Sequence, residues 1–207
     1  QKNQALLEIA DGIWRARNQV LAANRLDLEA GKKAGLSAAL LDRLMLDETR
    51  LVGILGDLRG VVELPDPVGE RFEASLLPNG LTAHKQRVPL GVLGVIYEAR
   101  PNVTVDITGL ALKTGNAAIL RGGKETIRTN RALVDAIREG LKASSLPGDS
   151  IQFLDDPDRA LVLGLLKQHQ YIDMLIPRGS AALHQFCREN SQIPVITGGI
   201  GICHLFV

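Results

Sequence analysis

The stretch LGVLGVI at residues 90–96 decides the fold, because it is a nearly continuous apolar run with the length of one β-strand. Comparable runs follow at residues 117–120, 151–154, 173–176 and 194–196. Segments with helical spacing separate them, at residues 103–114, 124–142, 158–167 and 180–190. Strands that helices cover on both faces have such solid apolar runs, whereas half-exposed strands alternate. The pattern therefore predicts an α/β fold with a doubly wound parallel sheet.

The sequence before this region, residues 1–67, predicts a helical layer. Apolar residues recur at spacings of three and four between Leu6 and Val20, which indicates one helix of roughly five turns. Ser37 and Asp47 each stand where they can cap the start of a further helix. Two prolines then end the layer. We predict that this layer is the helical part of the same domain as the sheet.

Residues 68–89 have a different character and predict a β-hairpin arm. Two polar extended runs flank Pro78-Asn79-Gly80, a turn sequence whose glycine tolerates the positive φ of a tight hairpin. Such an arm either stays in solvent or pairs with the sheet edge of another subunit, and the sequence leaves both open. The second alternative makes the protein a homo-oligomer through the arm.

Composition and charge exclude several classes of protein. The chain has 207 residues, 45% of them hydrophobic, and 24 Lys and Arg against 23 Asp and Glu. A formal charge of +1 gives no field that attracts nucleic acid or an anionic membrane. The two cysteines have neither metal-ligand nor disulfide spacing, and no apolar run is long enough to span a bilayer. A cytoplasmic protein that binds neither nucleic acid nor membrane is the expectation, and the scattered histidines suggest no metal.

Ligands of an open parallel sheet bind at the carboxyl ends of its strands. The residues directly after the apolar runs are therefore candidate contacts, and they are YEARPN at 97–102, RGGK at 121–124, PRGS at 177–180 and TGGIG at 197–201. Glycines ahead of a helix let the backbone approach a ligand, and the helix start offers free amides to an anion. Two such starts suit a dinucleotide, although a glycine at a strand-to-helix turn is also routine. No G-x-G-x-x-G fingerprint follows a strand.

Four long segments together resemble gamma-glutamyl phosphate reductases, a branch of the aldehyde dehydrogenase superfamily. They are RVPLGVLGVIYEARPN at 87–102, LKTGNAAILRGGKE at 112–125, DMLIPRGS at 173–180 and PVITGGIGICH at 194–204. The likeness extends over essentially the whole chain. It implies an aldehyde dehydrogenase-like, NADP-binding part at residues 90–207, next to the helical part at 1–67 and an oligomerisation arm at 68–89. Residues 203–207 look like the start of one more strand.

The resemblance implies an enzyme of proline biosynthesis that reduces gamma-glutamyl phosphate to glutamate 5-semialdehyde with NADPH and releases phosphate. Functional coupling to a glutamate 5-kinase is a further partner that it suggests. Such enzymes use a cysteine thiolate, but Cys187 and Cys203 fall in apolar segments, where buried thiols are usually inert. The resemblance places the nucleophile further along than residue 207. We therefore expect this chain alone to bind nucleotide weakly and to have no reductase activity.

The resemblance also gives roles to two residues before the first predicted helix of the sheet region. Asn102 is similar to the asparagine whose amide donates to the oxyanion, a role worth about 10²- to 10³-fold in rate. A cap for the helix that begins near Val103 is the other explanation. Arg100 is expected to bind the phosphate or carboxylate of the substrate, although the proline after it also makes it an ordinary loop residue.

The remaining junctions are expected to hold NADPH. The predicted contacts are Arg121, Gly122, Gly123, Lys124, Pro177, Arg178, Gly179, Ser180, Thr197, Gly198 and Gly199. Lys124 stands where aldehyde dehydrogenases tend to have the Glu of Lys-Pro-x-Glu, which binds the adenosine ribose. A cation there favours the 2′-phosphate of NADPH, and an exposed helix start is the alternative explanation.

The motif ITGG at residues 196–199 stands where the superfamily has Glu-Leu-Gly-Gly, whose Glu activates water for hydrolysis. Its absence favours reduction of an acyl phosphate, because that reaction needs no hydrolytic water. Two alternatives stay open. One is a general NAD(P)-dependent aldehyde dehydrogenase that acts oxidatively, and the other is a non-catalytic nucleotide-binding module.

Overall fold

A computed structural model describes residues 1–198 of the chain. The helices are α1 (Lys2–Arg15), α2 (Arg17–Lys33), α3 (Ala38–Leu44), α4 (Glu48–Glu63), α5 (Pro101–Lys113), α6 (Ile127–Lys142), α7 (Arg159–Leu165) and α8 (Ala181–Asn190). The strands are β1 (Arg71–Leu76), β2 (Thr82–Gln86), β3 (Val92–Tyr97), β4 (Ala117–Arg121), β5 (Ile151–Phe153) and β6 (Met174–Arg178). Within this part of the chain, no helix combines the length and the hydropathy needed to cross a bilayer.

Four parallel strands form the central sheet in the order β5-β4-β3-β6. The chain steps outward from β3 to β4 and β5, then returns to the other side of β3 with β6. Val195 continues the sheet beyond β6 through a parallel bridge to Leu175. The reversal between β3 and β6 creates a crevice at the carboxyl ends of the strands, where sheets of this kind bind ligands. The predicted doubly wound parallel sheet is confirmed.

Helices cover both faces of the sheet. One core contains Val95 of β3 and Leu120 of β4 with apolar residues of α1, α4, α5 and α6. The other contains Ile96 of β3 and Leu175 of β6 with apolar residues of α7 and α8. Neighbouring residues of a strand point to opposite faces, so Val95 and Ile96 enter different cores. This explains why the strands lack the alternation of half-exposed strands.

The N-terminal layer packs as predicted, but its first helix is divided. The expectation of one continuous five-turn helix is wrong, because α1 ends at Arg15 and α2 begins at Arg17. At the junction the Arg17 guanidinium lies 4.6 Å from the Trp14 ring centroid and donates to the Trp14 carbonyl oxygen at 3.1 Å. The two predicted caps are confirmed, since the side chain of Ser37 caps α3 and that of Asp47 caps α4.

Strands β1 and β2 form the predicted antiparallel hairpin, with Gly80 at φ +84° in the turn. Nearly every residue of the hairpin is exposed, including the apolar Leu76 and Leu81. The hairpin therefore adds nothing to either core. The proposed division of the chain into parts at residues 67 and 89 stays a prediction.

Candidate active site

Three clefts lie next to one another along the carboxyl edge of the sheet. The β4 cleft, about 570 Å³, contains Glu98, Arg121, Gly123, Lys124, Glu125 and Arg159. The β6 cleft, about 760 Å³, contains Arg43, Glu98, Arg100, Arg178, Ser180 and His184. The α4 cleft, about 430 Å³, contains Arg43, Arg50, Asp57, Arg100 and Asn102. Glu98 lines the first two clefts, and Arg43 and Arg100 line the last two, so the three form one continuous groove.

Cations converge on the β4 cleft. Arg121, at the end of β4, donates to the carbonyl oxygens of Gly122 at 2.9 Å and Pro157 at 3.0 Å. Its Nε is buried and has no hydrogen-bond partner. Burial lowers the pKa of Arg121, Glu125 opposes that shift, and Arg159 reinforces it. Together with the exposed Lys124, these cations make the cleft suitable for an anionic group.

The two glycines after β4 have different surroundings. A Cβ on the buried Gly122 would lie 2.2 Å from Nδ2 of Asn130 and 3.1 Å from the Tyr97 ring. Gly122 thus gives space to interior side chains, and its contact with a nucleotide stays a prediction. A Cβ on Gly123 would instead meet the Glu125 carboxylate at 2.8 Å, inside the β4 cleft.

A buried hydrogen-bond chain lies beneath this turn. The hydroxyls of Tyr97 and Thr104 are 2.7 Å apart, and Thr104 Oγ1 donates to Oδ1 of Asn130 at 3.0 Å. Asn130 Nδ2 donates in turn to Oγ1 of Thr126 at 3.1 Å. Burial raises the pKa of Tyr97, so its hydroxyl stays protonated and available to the network. This series of hydrogen bonds joins the end of β3 to α5 and to the start of α6.

The helical segment begins at Lys124 as predicted, but its first turn is not α-helical. A 3₁₀ turn occupies Lys124–Thr126, and α6 begins at Ile127. The Thr129 amide, in the first turn of α6, donates to Oδ2 of Asp27 at 2.8 Å. The buried Asp27 carboxylate of α2 thus already occupies the place that an external anion was expected to take.

Glu98 holds the equivalent place at the start of α8. Its Oε1 accepts from the Ser180 amide at 3.0 Å, while the Ser180 side chain caps the helix through the Leu183 amide. A Cβ on Gly179 would lie 2.5 Å from the Glu98 carboxyl carbon. Gly179 is therefore small because Glu98 packs against it.

Asn102 and Arg100 flank the start of α5. The helix begins at Pro101 with Arg100 as its N-cap, so the capping explanation of Asn102 is wrong. Nδ2 of Asn102 donates to Oδ2 of Asp106 at 3.1 Å. Arg100 is exposed and belongs to none of the ion pairs among residues 1–198. It stands where two clefts meet, next to the amide of Asn102.

The edge of the sheet brings most of the predicted site residues together. Pro177, Arg178, Gly179, Ser180 and Gly198 line the β6 cleft with Arg100. Thr197 is half-buried next to Gly198, and Gly199 lies outside the described residues, as does Cys203. Cys187 is buried in α8, and burial raises its pKa, which agrees with an inert thiol.

Several residues of the groove escaped the sequence analysis. They are Arg43, Asp57, Glu125 and Arg159, together with Asp106, which accepts from Asn102. Glu98 belongs to the candidate stretch at residues 97–102, but its hydrogen bond to the Ser180 amide carried no sequence signal. Arg43 and Asp57 had none, since they belong to the N-terminal helices and reach the groove only through tertiary packing.

No family-level sequence profile matches the chain. Solved structures of a dehydrogenase and a reductase share its fold at low sequence identity. A propionaldehyde dehydrogenase of Rhodopseudomonas palustris superposes with a TM-score of 0.67 at 18% identity, over 94% of this chain and 41% of that one. An engineered glycolyl-CoA reductase with bound NADP⁺ gives 0.65 at 19%, over 95% and 41%. The chain thus has the fold of the aldehyde dehydrogenase superfamily.

Much closer relatives are gamma-glutamyl phosphate reductases. The protein of that name from Psychromonas ingrahamii is 60% identical over 206 residues, covering 100% of this chain and 50% of the relative. A crystal structure from Thermotoga maritima superposes with a TM-score of 0.93 at 41% identity, over 97% of this chain and 49% of that one. The chain is homologous to gamma-glutamyl phosphate reductases and spans about half the length of the curated relatives it matches, so the resemblance stated from sequence is confirmed.

Gly122 and Gly123 have different surroundings, and this difference can be tested by substitution. Gly122→Ala should destabilise the protein by about 2 kcal/mol or more, because the methyl group enters the space of Asn130 and Tyr97. Gly123→Ala is the matched control and should cost less than about 1 kcal/mol, since its methyl group meets the end of the flexible Glu125 side chain at 2.8 Å and the Ala99 backbone nitrogen at the milder distance of 3.3 Å. Urea unfolding measures both values. Equal stability of the two variants would contradict the packing role of Gly122.

Proposed function

We propose that this chain is the cofactor-binding portion of an NADPH-dependent gamma-glutamyl phosphate reductase of proline biosynthesis. The enzyme would reduce gamma-glutamyl phosphate to glutamate 5-semialdehyde and release phosphate. The observation that carries the proposal is the 56–60% identity to such reductases along the whole chain. The groove supports it, because cationic clefts for phosphorylated ligands adjoin the amide of Asn102.

The residues at the β4 and β6 clefts fit a phosphorylated dinucleotide. Arg121, Lys124 and Arg159 supply the charge that distinguishes a ribose 2′-phosphate from a hydroxyl, and the buried Arg121 Nε lacks a partner. The start of α8 offers the Ser180 amide to a pyrophosphate once Glu98 moves away. When bound, NADPH supplies the hydride for the reduction.

The chain's own contribution to the chemical step is positioning and charge. Nδ2 of Asn102 carries two hydrogens, and Asp106 accepts one of them. The other is free to donate to an oxyanion at the acyl carbon. Arg43 and Arg100 line the same place and attract the phosphate of the substrate. In this proposal the cysteine nucleophile comes from a part of the protein outside this chain.

We propose a metabolic partner and a cellular location together with this reaction. A glutamate 5-kinase is the proposed source of the substrate. An acyl phosphate is reactive and is hydrolysed if water reaches it, so direct supply by the kinase would protect it. A cytoplasmic location follows from the cysteine content, since neither cysteine has disulfide spacing.

The cationic clefts give a prediction for cofactor choice. In the protein that carries this chain, Lys124→Ala and Arg159→Ala should each weaken NADP⁺ binding about tenfold and leave NAD⁺ binding unchanged. Lys142→Ala is the matched control, since it removes an exposed lysine at the far end of α6. Calorimetric titration measures all the constants. Equal weakening for both dinucleotides would contradict a 2′-phosphate site.

The reaction itself is tested in reverse. The protein that carries this chain should reduce NADP⁺ with glutamate 5-semialdehyde only when phosphate is present, and absorbance at the NADPH band reports turnover. A general aldehyde dehydrogenase would need no phosphate and would accept NAD⁺ with simple aldehydes. A non-catalytic module would bind nucleotide without turnover. Either result would overturn the proposed reaction.

We also propose that the hairpin arm joins two copies of the chain. The proposal is supported by the exposure of Leu76 at the end of β1 and of Leu81 and Val88 on either side of β2, at 76%, 61% and 69%. The outer edges of the two strands also leave backbone groups unpaired. Deleting residues 70–88 should halve the mass measured by light scattering and leave the circular dichroism of the sheet and helices intact. An unchanged mass would show that the arm stays in solvent.

A further inference from the structure

The side-chain amide of Asn102 has a carboxylate partner on its own helix. Its Nδ2 donates to Oδ2 of Asp106 at 3.1 Å, and within residues 1–198 this amide forms no other hydrogen bond. Asn102 lines the α4 cleft, whereas Asp106 is half-buried one helical turn later and lines none of the three clefts. Asp106 therefore contacts Asn102 without lining the space in which a substrate would bind.

An ionised carboxylate determines which end of the amide faces it. The oxygen and nitrogen of an asparagine amide are so alike in shape that hydrogen bonds, not packing, distinguish its two orientations. A carboxylate in its ionised form only accepts hydrogen bonds, so Nδ2 faces Asp106 and Oδ1 does not. Since Nδ2 carries two hydrogens, the second points away from Asp106 and is available to a ligand.

The surroundings of Asp106 make the amide its direct partner. Asp106 belongs to no ion pair in the part of the chain that the structure describes. Burial raises the pKa of Asp106, the Asn102 hydrogen bond opposes this rise, Asp57 adds to it and Arg178 opposes it. The hydrogen bond is thus the larger of the two contributions that favour the ionised carboxyl, which is the form that only accepts.

The orientation of this amide matters at the proposed reacting centre. Nδ2 can donate to the oxyanion that develops at the acyl carbon, and such a donor is worth about 10²- to 10³-fold in rate. The reversed amide would instead place the partial negative charge of Oδ1 against the oxyanion. An amide without a fixed partner must also be ordered during the reaction, at a cost in entropy.

We propose that Asp106 is a positioning residue, whose carboxylate accepts one N–H of Asn102 and so presents the other to the acyl oxygen of the substrate. This inference rests on the proposed function and adds the cause of the amide's orientation. Asp106 does not touch the substrate and acts only through Asn102. Its removal therefore has no effect on the rate once the Asn102 amide is absent.

The test is a double-mutant cycle in the protein that carries this chain, with glutamate 5-semialdehyde, NADP⁺ and phosphate as reactants. Asp106→Ala should lower kcat and kcat/KM equally, about 3- to 15-fold, because only the transition state loses an ordered donor. Asn102→Ala should lower both by about 10²- to 10³-fold. The double variant should be no slower than Asn102→Ala, since the two residues act as a unit. Asp106→Glu keeps a carboxylate that only accepts and should recover most of the lost rate.

A matched control comes from a similar pair outside the groove. On α1, Nε2 of Gln4 donates to Oε1 of Glu8 at 2.8 Å, and Glu8 is also half-buried and lines none of the three clefts. Glu8→Ala should leave kcat within about twofold of the parent, because such pairs only stabilise the helix. If circular dichroism shows that Asp106→Ala does not fold, the same cycle is measured with Asp106→Asn. That side chain has the same shape but can also donate, so the rate should fall in the same direction.

Four results would overturn the positioning role. A further loss in the double variant would show that Asp106 acts independently of Asn102. An unchanged kcat in Asp106→Ala would show that the amide is oriented without it, and a raised kcat would show that a negative charge near the oxyanion outweighs the hydrogen bond. Unchanged turnover in Asn102→Ala would remove the oxyanion role on which the inference depends. A wild-type protein that turns over no semialdehyde with phosphate present would instead refute the proposed function, and the positioning role with it.

Discussion

The buried hydrogen bond between the Tyr97 and Thr104 hydroxyls, 2.7 Å long, positions the residues that follow β3 at the carboxyl edge of the sheet. Tyr97 ends β3, and the residues that follow it enter all three clefts. Through Asn130 the same network reaches the start of α6. A buried polar group without a hydrogen-bond partner costs about 1–3 kcal/mol. These side chains are therefore stabilised in the arrangement in which they are hydrogen-bonded to one another. This hydrogen-bond network therefore supports the loops that form the groove.

Charge changes sign along the groove in an order that suits its proposed ligands. Arg121, Lys124 and Arg159 line the β4 cleft. Glu98 lines both the β4 and the β6 cleft, and Arg43 and Arg100 line the α4 cleft together with Asp57. In water such charges attract weakly, but partial burial strengthens each of them. In the proposed function the dinucleotide and the acyl phosphate would lie in neighbouring clefts, with Asn102 near the place where they meet.

Features set by neighbouring residues were predictable from sequence, and those set by distant contacts were not. The solid run at residues 90–96 predicted a strand covered on both faces, and Ser37 and Asp47 predicted caps from local chemistry alone. The division of the first helix at Ala16 carries no glycine or proline signal. Asp27 reaches the start of α6 across 102 residues of sequence, and Asp57 lines a cleft with Asn102 of α5 only because α4 packs against α5. Such pairs become visible only with the tertiary structure.

The carboxylate of Glu98 at the start of α8 has a consequence for the affinity of the proposed dinucleotide site. Its Oε1 accepts from the Ser180 amide at 3.0 Å, so this amide is not left without a hydrogen-bond partner. A diphosphate arriving there exchanges one anion for another and gains only the difference between them. In the proposed enzyme this competition would lower the affinity for the dinucleotide and favour its release after each turnover.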